Sequence, residues 1–214
     1  MFNTKEKILQ KSLELFNTKG CINTSNRAIA KEVGISIGNF YYYFKNKEEI
    51  LIELFLRYLE KIFKDVINLN YEKDEIFLLK QFLLDNLEVE IEYRFIHLEM
   101  DQLVNNFPTF KKIIQEQLKK EIIMVSSLME HQIKHGYIIP LSKEEIEFFV
   151  SNMWIVACSN FMYWNLLDFD IYEVMKKAAL NKFYLIKPYL TQKSLDNENV
   201  KDLEKILKAY YENK

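Results

Sequence analysis

The sequence predicts an all-α protein. Its 214 residues include only four glycines and three prolines, too little turn chemistry for a many-stranded fold. Its apolar residues recur at intervals of three and four rather than alternating. Side chains that cap helices stand just ahead of these periodic stretches, at Asn3, Ser25, Ser36, Asn46 and Ser142. The length suits either one helical domain or a small head on a larger body, and both bury a core.

The first helix is expected over Thr4–Lys19, with Asn3 and Glu6 spaced as a reciprocal capping box. Leu9, Leu13 and Phe16 share one face, and Gly20 ends it. From Thr24 to Leu51 the chain reads TSNRAIAKEVGISIGNFYYYFKNKEEIL, two short helices set across a tight glycine turn, the spacing of a helix-turn-helix. Ser25 caps the second helix, and Ala30, Val33 and Ile35 wedge the pair. Gly34 falls where that helix must stop in a left-handed conformation, which glycine adopts cheaply. Ser36 then caps a third helix over 37–44, accepting the backbone N–H near Asn39.

Asn46 caps the fourth helix, with Glu49 in the reciprocal position. Lys47 in its first turn conflicts with the helix dipole, which favours anions there, and a phosphate would remove the conflict. This helix is expected to reach about residue 69 and to act as a lever between head and body. Further helices are expected at about 75–87, 91–105, 109–135, 143–167, 171–189 and 200–211. Pro108, Pro140 and Pro188 fall near element ends, Ser142 and Glu145 form another capping box, and LTQKSLDNENV is expected as a loop.

Ile29-Ala30, Gly34-Ile35-Ser36, Gly38, Phe40-Tyr41 and Phe44-Lys45-Asn46-Lys47 fall in one register. In that register the chain resembles the TetR family of bacterial transcriptional regulators over roughly its first quarter, and beyond it only helical layout and length correspond. The resemblance implies an N-terminal three-helix helix-turn-helix domain at 1–47 and a larger helical ligand-binding and dimerisation domain at 48–214. It implies a homodimeric repressor on a palindromic double-stranded DNA operator, released by a small molecule.

Charge is divided along the chain. Residues 1–47 carry eight basic side chains against three acidic ones, a formal +5, so the total of −2 leaves −7 on the remainder. A basic head on an acidic body draws a polyanion to one end and repels it from the other. No apolar run reaches the roughly 18 residues that span a bilayer, and the charged start MFNTKEK lacks a signal-peptide core, so a cytoplasmic protein without a membrane partner is expected. Cys21 and Cys158 are expected as free thiols, in a loop and in a buried helix.

Within the recognition segment, Gly38 lets the backbone approach DNA and Asn39 can pair bidentately with adenine. Tyr41 and Tyr42 carry hydroxyls for phosphates and rings for a thymine methyl, while Phe40 and Phe44 are core. Arg27 suits phosphate or guanine, Asn26 a phosphate, and Ser25 and Ser36 act mainly as caps on the same face. The resemblance assigns DNA contacts to Arg27 and Lys47. Ile37 replaces the polar or basic residue common at its family position and can either meet a thymine methyl or make no base contact.

In the body, EFFVSNMWIVACSNFMYWNLL is apolar on nearly every face and must be covered on both sides. The resemblance assigns this helix and the next, around Val174, Ala178 and Leu185, to a four-helix dimer interface. Phe63, Leu83, Met124, Leu128, Phe149, Met153 and Trp154 are candidates for an apolar ligand cavity, with His97 as its polar group, which would suit a hydrophobic inducer. His131 and His135 have a zinc-compatible spacing, but two ligands are too few, and no metal or cofactor is expected. Two other functions compete. An enzyme on the helical body lacks a serine elbow, a glycine phosphate loop or a paired metal motif in this sequence, and an architectural DNA binder would have a dry, filled body core.

Overall fold

Local signals fix most helix ends in the computed structural model, which describes residues 3–67, 83 and 86–212. Helix α1 spans Thr4–Lys19, opened by Asn3 Oδ1 accepting from the Lys5 N–H and closed by Gly20 at φ 82°. The expected second half of its capping box does not form. Glu6 instead takes the Arg57 guanidinium at 2.5 and 2.9 Å, a two-pronged charged contact that outweighs a backbone cap. Helices α2 (Asn26–Val33), α3 (Ile37–Tyr43) and α4 (Lys47–Ile67) follow. Asn46 caps α4 at the Glu49 N–H, while the Glu49 carboxylate reaches the Lys45 N–H, one residue before the box position.

The expected ends of α4 at 68–69, and the expected helix over 75–87 apart from residues 83, 86 and 87, lie outside the described residues. The helix expected over 91–105 is instead two, α5 (Leu87–Glu92) and α6 (Phe95–Asn106). Asn17 accounts for the break, donating to the Glu92 carbonyl at 2.7 Å and accepting from the Phe95 N–H at 3.1 Å, which satisfies the groups freed at both ends. Next come α7 (Pro108–Lys134), α8 (Lys143–Asn165) with the full Ser142–Glu145 box, and α9 (Ile171–Ile186), capped by Asp170.

A 3₁₀ turn at Lys187–Tyr189 shortens α9, with Pro188 inside it. The segment expected as a loop contains α10 (Gln192–Leu195), capped by Thr191, and the start of α11 (Glu198–Glu212). Tertiary bonds order it: Ile138 and Leu190 form an isolated antiparallel bridge, and the buried Ser194 hydroxyl donates to the Tyr137 carbonyl. Among the described residues there is no strand beyond that bridge, and no helix is long and apolar enough to cross a membrane.

The chain divides into two compact units, Met1–Lys61 with Glu92–Glu116, and Ile62–Ile91 with Gln117–Lys214. The sequence places a functional division at 47/48, whereas the first compact unit also takes in most of α4, all of α6 and the start of α7. Its core joins Ile8, Leu9, Phe16, Ile29, Phe40, Ile50 and Leu51 to Phe95 and Phe110, with Phe16 edge-on to Phe95 at 5.2 Å. Glu48 Oε1 accepts from the Thr109 and Phe110 N–H groups at 2.7 and 3.0 Å, capping the N-terminus of α7 from across the unit.

The second unit packs α8 against α9 around Leu83, Met129, Phe149, Ala179, Phe183 and Leu203. A buried ion pair, Lys182 to Glu90 at 2.5 Å, ties α9 to α5. Cys21 and Cys158 are both free, and burial pushes each thiol up to about 12, so neither is a thiolate at neutral pH. The rings of His131 and His135 lie tilted against each other at 4.4 Å between centroids near the end of α7, and among the described residues no group of three metal-ligating side chains gathers.

Candidate nucleic-acid interface

The helix-turn-helix is held by its caps and by one apolar row. Ser25 Oγ accepts the Ala28 N–H at 3.1 Å, and Ser36 Oγ accepts the Asn39 N–H at 3.1 Å. Between them Gly34 sits at φ 77°, ψ 32°, while the Ile35 N–H reaches the Ala30 carbonyl and the Gly34 N–H that of Lys31. That pair of bonds is a Schellman closure and requires the left-handed residue. Ile29, Ala30, Phe40 and Phe44 are buried, whereas Val33 and Ile35 are only half-buried.

With Phe40 and Phe44 turned inward, the opposite side of α3 faces out. Gly38 and Asn39 are exposed, Tyr41 is 50% and Tyr42 82% exposed, and Ile37 is half-buried. Arg27, Ser25 and Ser36 are exposed and Asn26 is half-buried, so the α2 start and the α3 face are both open surface of the first unit. A Cβ placed on Gly38 would meet nothing nearer than Ser36 Oγ at 3.9 Å. The fold therefore has no need of glycine there. Beside this face, Thr24, Ser25, Asn26, Asn46, Lys47, Glu48 and Phe107 line a concavity of about 440 Å³.

Lys47 is placed differently from the other candidates. Its Nζ points back into the protein and donates to the carbonyls of Cys21, Ile22 and Thr24 at 2.5, 3.0 and 2.8 Å. Those three bonds use every ammonium hydrogen, so no donor is left for a phosphate in this arrangement. The sequence offered no sign of this, because the partners are backbone atoms more than twenty residues away.

The body candidates do not all come together. Leu83 and Phe149 are buried in the second unit's main core with Met153 against them, and Leu128 is buried too. Phe63 and Met124 are half-buried, and Trp154 is exposed. His97 belongs to the first unit, where its Nε2 lies 3.2 Å from the Tyr58 hydroxyl, the partner of a structural histidine. Val174 and Ala178 are buried within the chain's own core, Val174 beside Phe161 and Met175, and Leu185 is half-buried. The large apolar and aromatic residues of α8 that are exposed include Phe148 (62%), Trp154, Ile155 (53%), Met162 (61%) and Tyr163, and three of them, Phe148, Ile155 and Met162, are spaced seven apart. The sequence did not single these positions out, because the whole helix is apolar.

Comparison with known proteins bears on both units. The chain matches the family model for bacterial regulatory proteins of the TetR family over residues 8–54, and that for a bacterial transcriptional repressor of the TetR type over 41–197. It is 42% identical over 71 residues to the HTH-type transcriptional regulator YuxN of Bacillus subtilis (strain 168), covering 33% of this chain and about a quarter (24%) of that one. To the fatty acid metabolism regulator protein of the same organism it is 28% identical over 152 residues, 65% of this chain and 75% of that protein. A crystal structure of a TetR-family transcriptional regulator from Marinobacter aquaeolei VT8 superposes with a TM-score of 0.80 at 26% identity, over 98% of this chain and 99% of that one.

Proposed function

Since this chain belongs to the TetR family of bacterial transcriptional regulators, we propose that it is a homodimeric, sequence-specific DNA-binding repressor of the cytoplasm. The observation that carries this reading is the outward face of α3, where Gly38, Asn39, Tyr41 and Tyr42 are exposed, Gly38 has room for a side chain, and the Tyr41 and Tyr42 rings only edge against their neighbours Phe40 and Tyr43 while their outer surfaces stay open. On a duplex, α3 enters the major groove, Asn39 pairs with an adenine and Ile37 meets a thymine methyl. Tyr41, Tyr42, Arg27 and Asn26 reach the flanking phosphates, with Ser25 and Ser36 holding the helix starts among them.

Dimerisation is supported by the exposed apolar side chains Phe148, Ile155 and Met162 at seven-residue spacing on one side of α8, which a second copy covers by two-fold pairing. Two heads then occupy successive major grooves about 34 Å apart on a palindromic operator. A hydrophobic molecule taken up among the apolar side chains of the second unit alters this spacing and releases the DNA, without catalytic turnover. Linkage requires the converse, that operator DNA weakens binding of that molecule by the same factor.

Selection from random duplexes by the purified full chain at two salt concentrations, followed by sequencing, tests this reading. A two-fold symmetric motif is expected. Salt-sensitive binding without a motif would point to an architectural protein, and absence of binding would remove the DNA-binding reading.

A further inference from the structure

The geometry points to Lys47 and Glu99 as positioning residues of the DNA reader: a two-charge clamp on the turn Gly20–Thr24 that fixes where Ser25, Asn26 and Arg27 meet the phosphate backbone. This rests on the DNA-binding reading above, and in it neither clamp residue touches DNA.

The turn is gripped from both ends of its peptide dipoles. On the acceptor side, the Lys47 ammonium gathers the Cys21, Ile22 and Thr24 carbonyls to one point. On the donor side, the Glu99 carboxylate takes the Cys21 N–H at 2.6 Å. Cys21 is fully buried and Thr24 nearly so, and the Thr24 hydroxyl closes the turn by donating to the Gly20 carbonyl at 2.7 Å. Gly20 completes the design, since at φ 82° a Cβ there would lie 2.2 Å from Glu99 Oε1. The carboxylate occupies the space a side chain would need.

The last carbonyl that Lys47 holds belongs to Thr24, and Ser25, the α2 cap, is next in the chain. The α2 start thus inherits its position from the first residue of α4 and from α6. The Phe107 ring lies against the ammonium, 5.6 Å from its centroid to Nζ. Burial pushes the Lys47 pKa down, and the Glu99 carboxylate is among the groups opposing that shift. An ammonium with three radiating donors fits three convergent carbonyls, whereas a planar guanidinium does not.

That difference gives the test. Affinities of the full-length wild type, Lys47→Arg, Lys47→Ala and Glu99→Ala for the selected duplex are measured across a salt series. Amide hydrogen exchange over residues 21–27 is followed without DNA. The clamp predicts that all three variants lose affinity about ten-fold or more with the wild-type salt slope, and exchange faster in that segment while the core of α1 stays protected. If Lys47→Arg binds like the wild type and Lys47→Ala lowers the slope by about one unit per head, Lys47 is a phosphate contact and the clamp is overturned. Unchanged exchange in Lys47→Arg overturns it too. If the wild type binds no duplex, the DNA-binding reading falls and exchange alone decides the clamp. Should the alanine variants not fold, the charge-conserving arginine carries the comparison.

Discussion

Helices α3 and α8 both present large side chains to the surface, and they do so by different means. α3 has seven residues, a cap at each end and two aromatic anchors, Phe40 within it and Phe44 just beyond, so its outward face is whatever remains. α8 has twenty-three residues and is apolar almost all round, burying Ile146, Phe149, Val150 and Phe161 while exposing Phe148, Ile155 and Met162. The orientation of α3 is set within a few residues of sequence. That of α8 is set by what α9 and the rest of the second unit cover first. A short capped helix therefore states its outward face locally, and a long apolar one leaves the choice to tertiary packing.

If the two faces serve DNA and a second copy, they fail differently when altered. The largest effect is expected from Ile155→Glu with Met162→Glu, exposed sites whose substitution spares the core. Sedimentation equilibrium should show a monomer, with affinity for the two-fold site down about 10²- to 10⁴-fold because the second head no longer binds intramolecularly. A dimer that survives both charges would move the interface off this row. Next comes Asn39→Ala, with a loss of about 1–3 kcal/mol per half-site and relaxed preference at one base pair. A loss uniform over all sequences would make Asn39 a phosphate contact instead.

What was legible follows the same division. The caps at Ser25, Gly34, Ser36 and Ser142 lie beside the groups they satisfy, and each sits where its spacing puts it. Glu6, Asn17 and Lys47 were not legible in their roles because their partners, Arg57, Phe95 and the Cys21–Thr24 carbonyls, are distant in sequence. The turn between α5 and α6 and the helix α10 were missed for that reason, each being ordered by tertiary bonds. In the body, periodicity identified apolar helices without saying which face looks inward. The resemblance assigned Val174 and Ala178 to a dimer interface, and within the chain itself both are buried, while His97 was grouped with residues of another unit.

The units differ in their charges as well. In the first, Arg57 sits between Glu6 and Glu53, and its hydrogen bond holds the Glu6 carboxyl below the usual range. In the second, burial alone pushes Glu121 up to about 7. The folded state therefore keeps a proton on Glu121 that the unfolded chain gives up near 4.5. The destabilisation this causes is absent below that pH and complete above about 7, so stability falls as pH rises between them. Glu121→Gln should remove the fall, gaining on the order of 1–2 kcal/mol over the wild type at pH 8 and little at pH 4, as read from urea midpoints. An equal gain at both pH values would mean that the carboxyl ionises freely in the fold.

The smallest effect is the most discriminating, because folding and binding should move in opposite directions. Gly38 lies in the first turn of α3, has ordinary negative φ and leaves room for a Cβ. Replacing it with alanine restricts the unfolded chain and suits the helix, so stability should rise by as much as about 0.5–1 kcal/mol. The added methyl group projects from the exposed face, where a duplex approaching as closely as the glycine permits would meet it. Gly38→Ala should thus melt higher and bind the selected site more weakly. If both stability and affinity rise, the backbone of α3 does not approach the bases at this position, and the register of the helix in the groove must be shifted toward Tyr41 and Tyr42. If stability falls, the cap at Ser36, whose Oγ is the nearest atom to the new methyl at 3.9 Å, is what glycine protects.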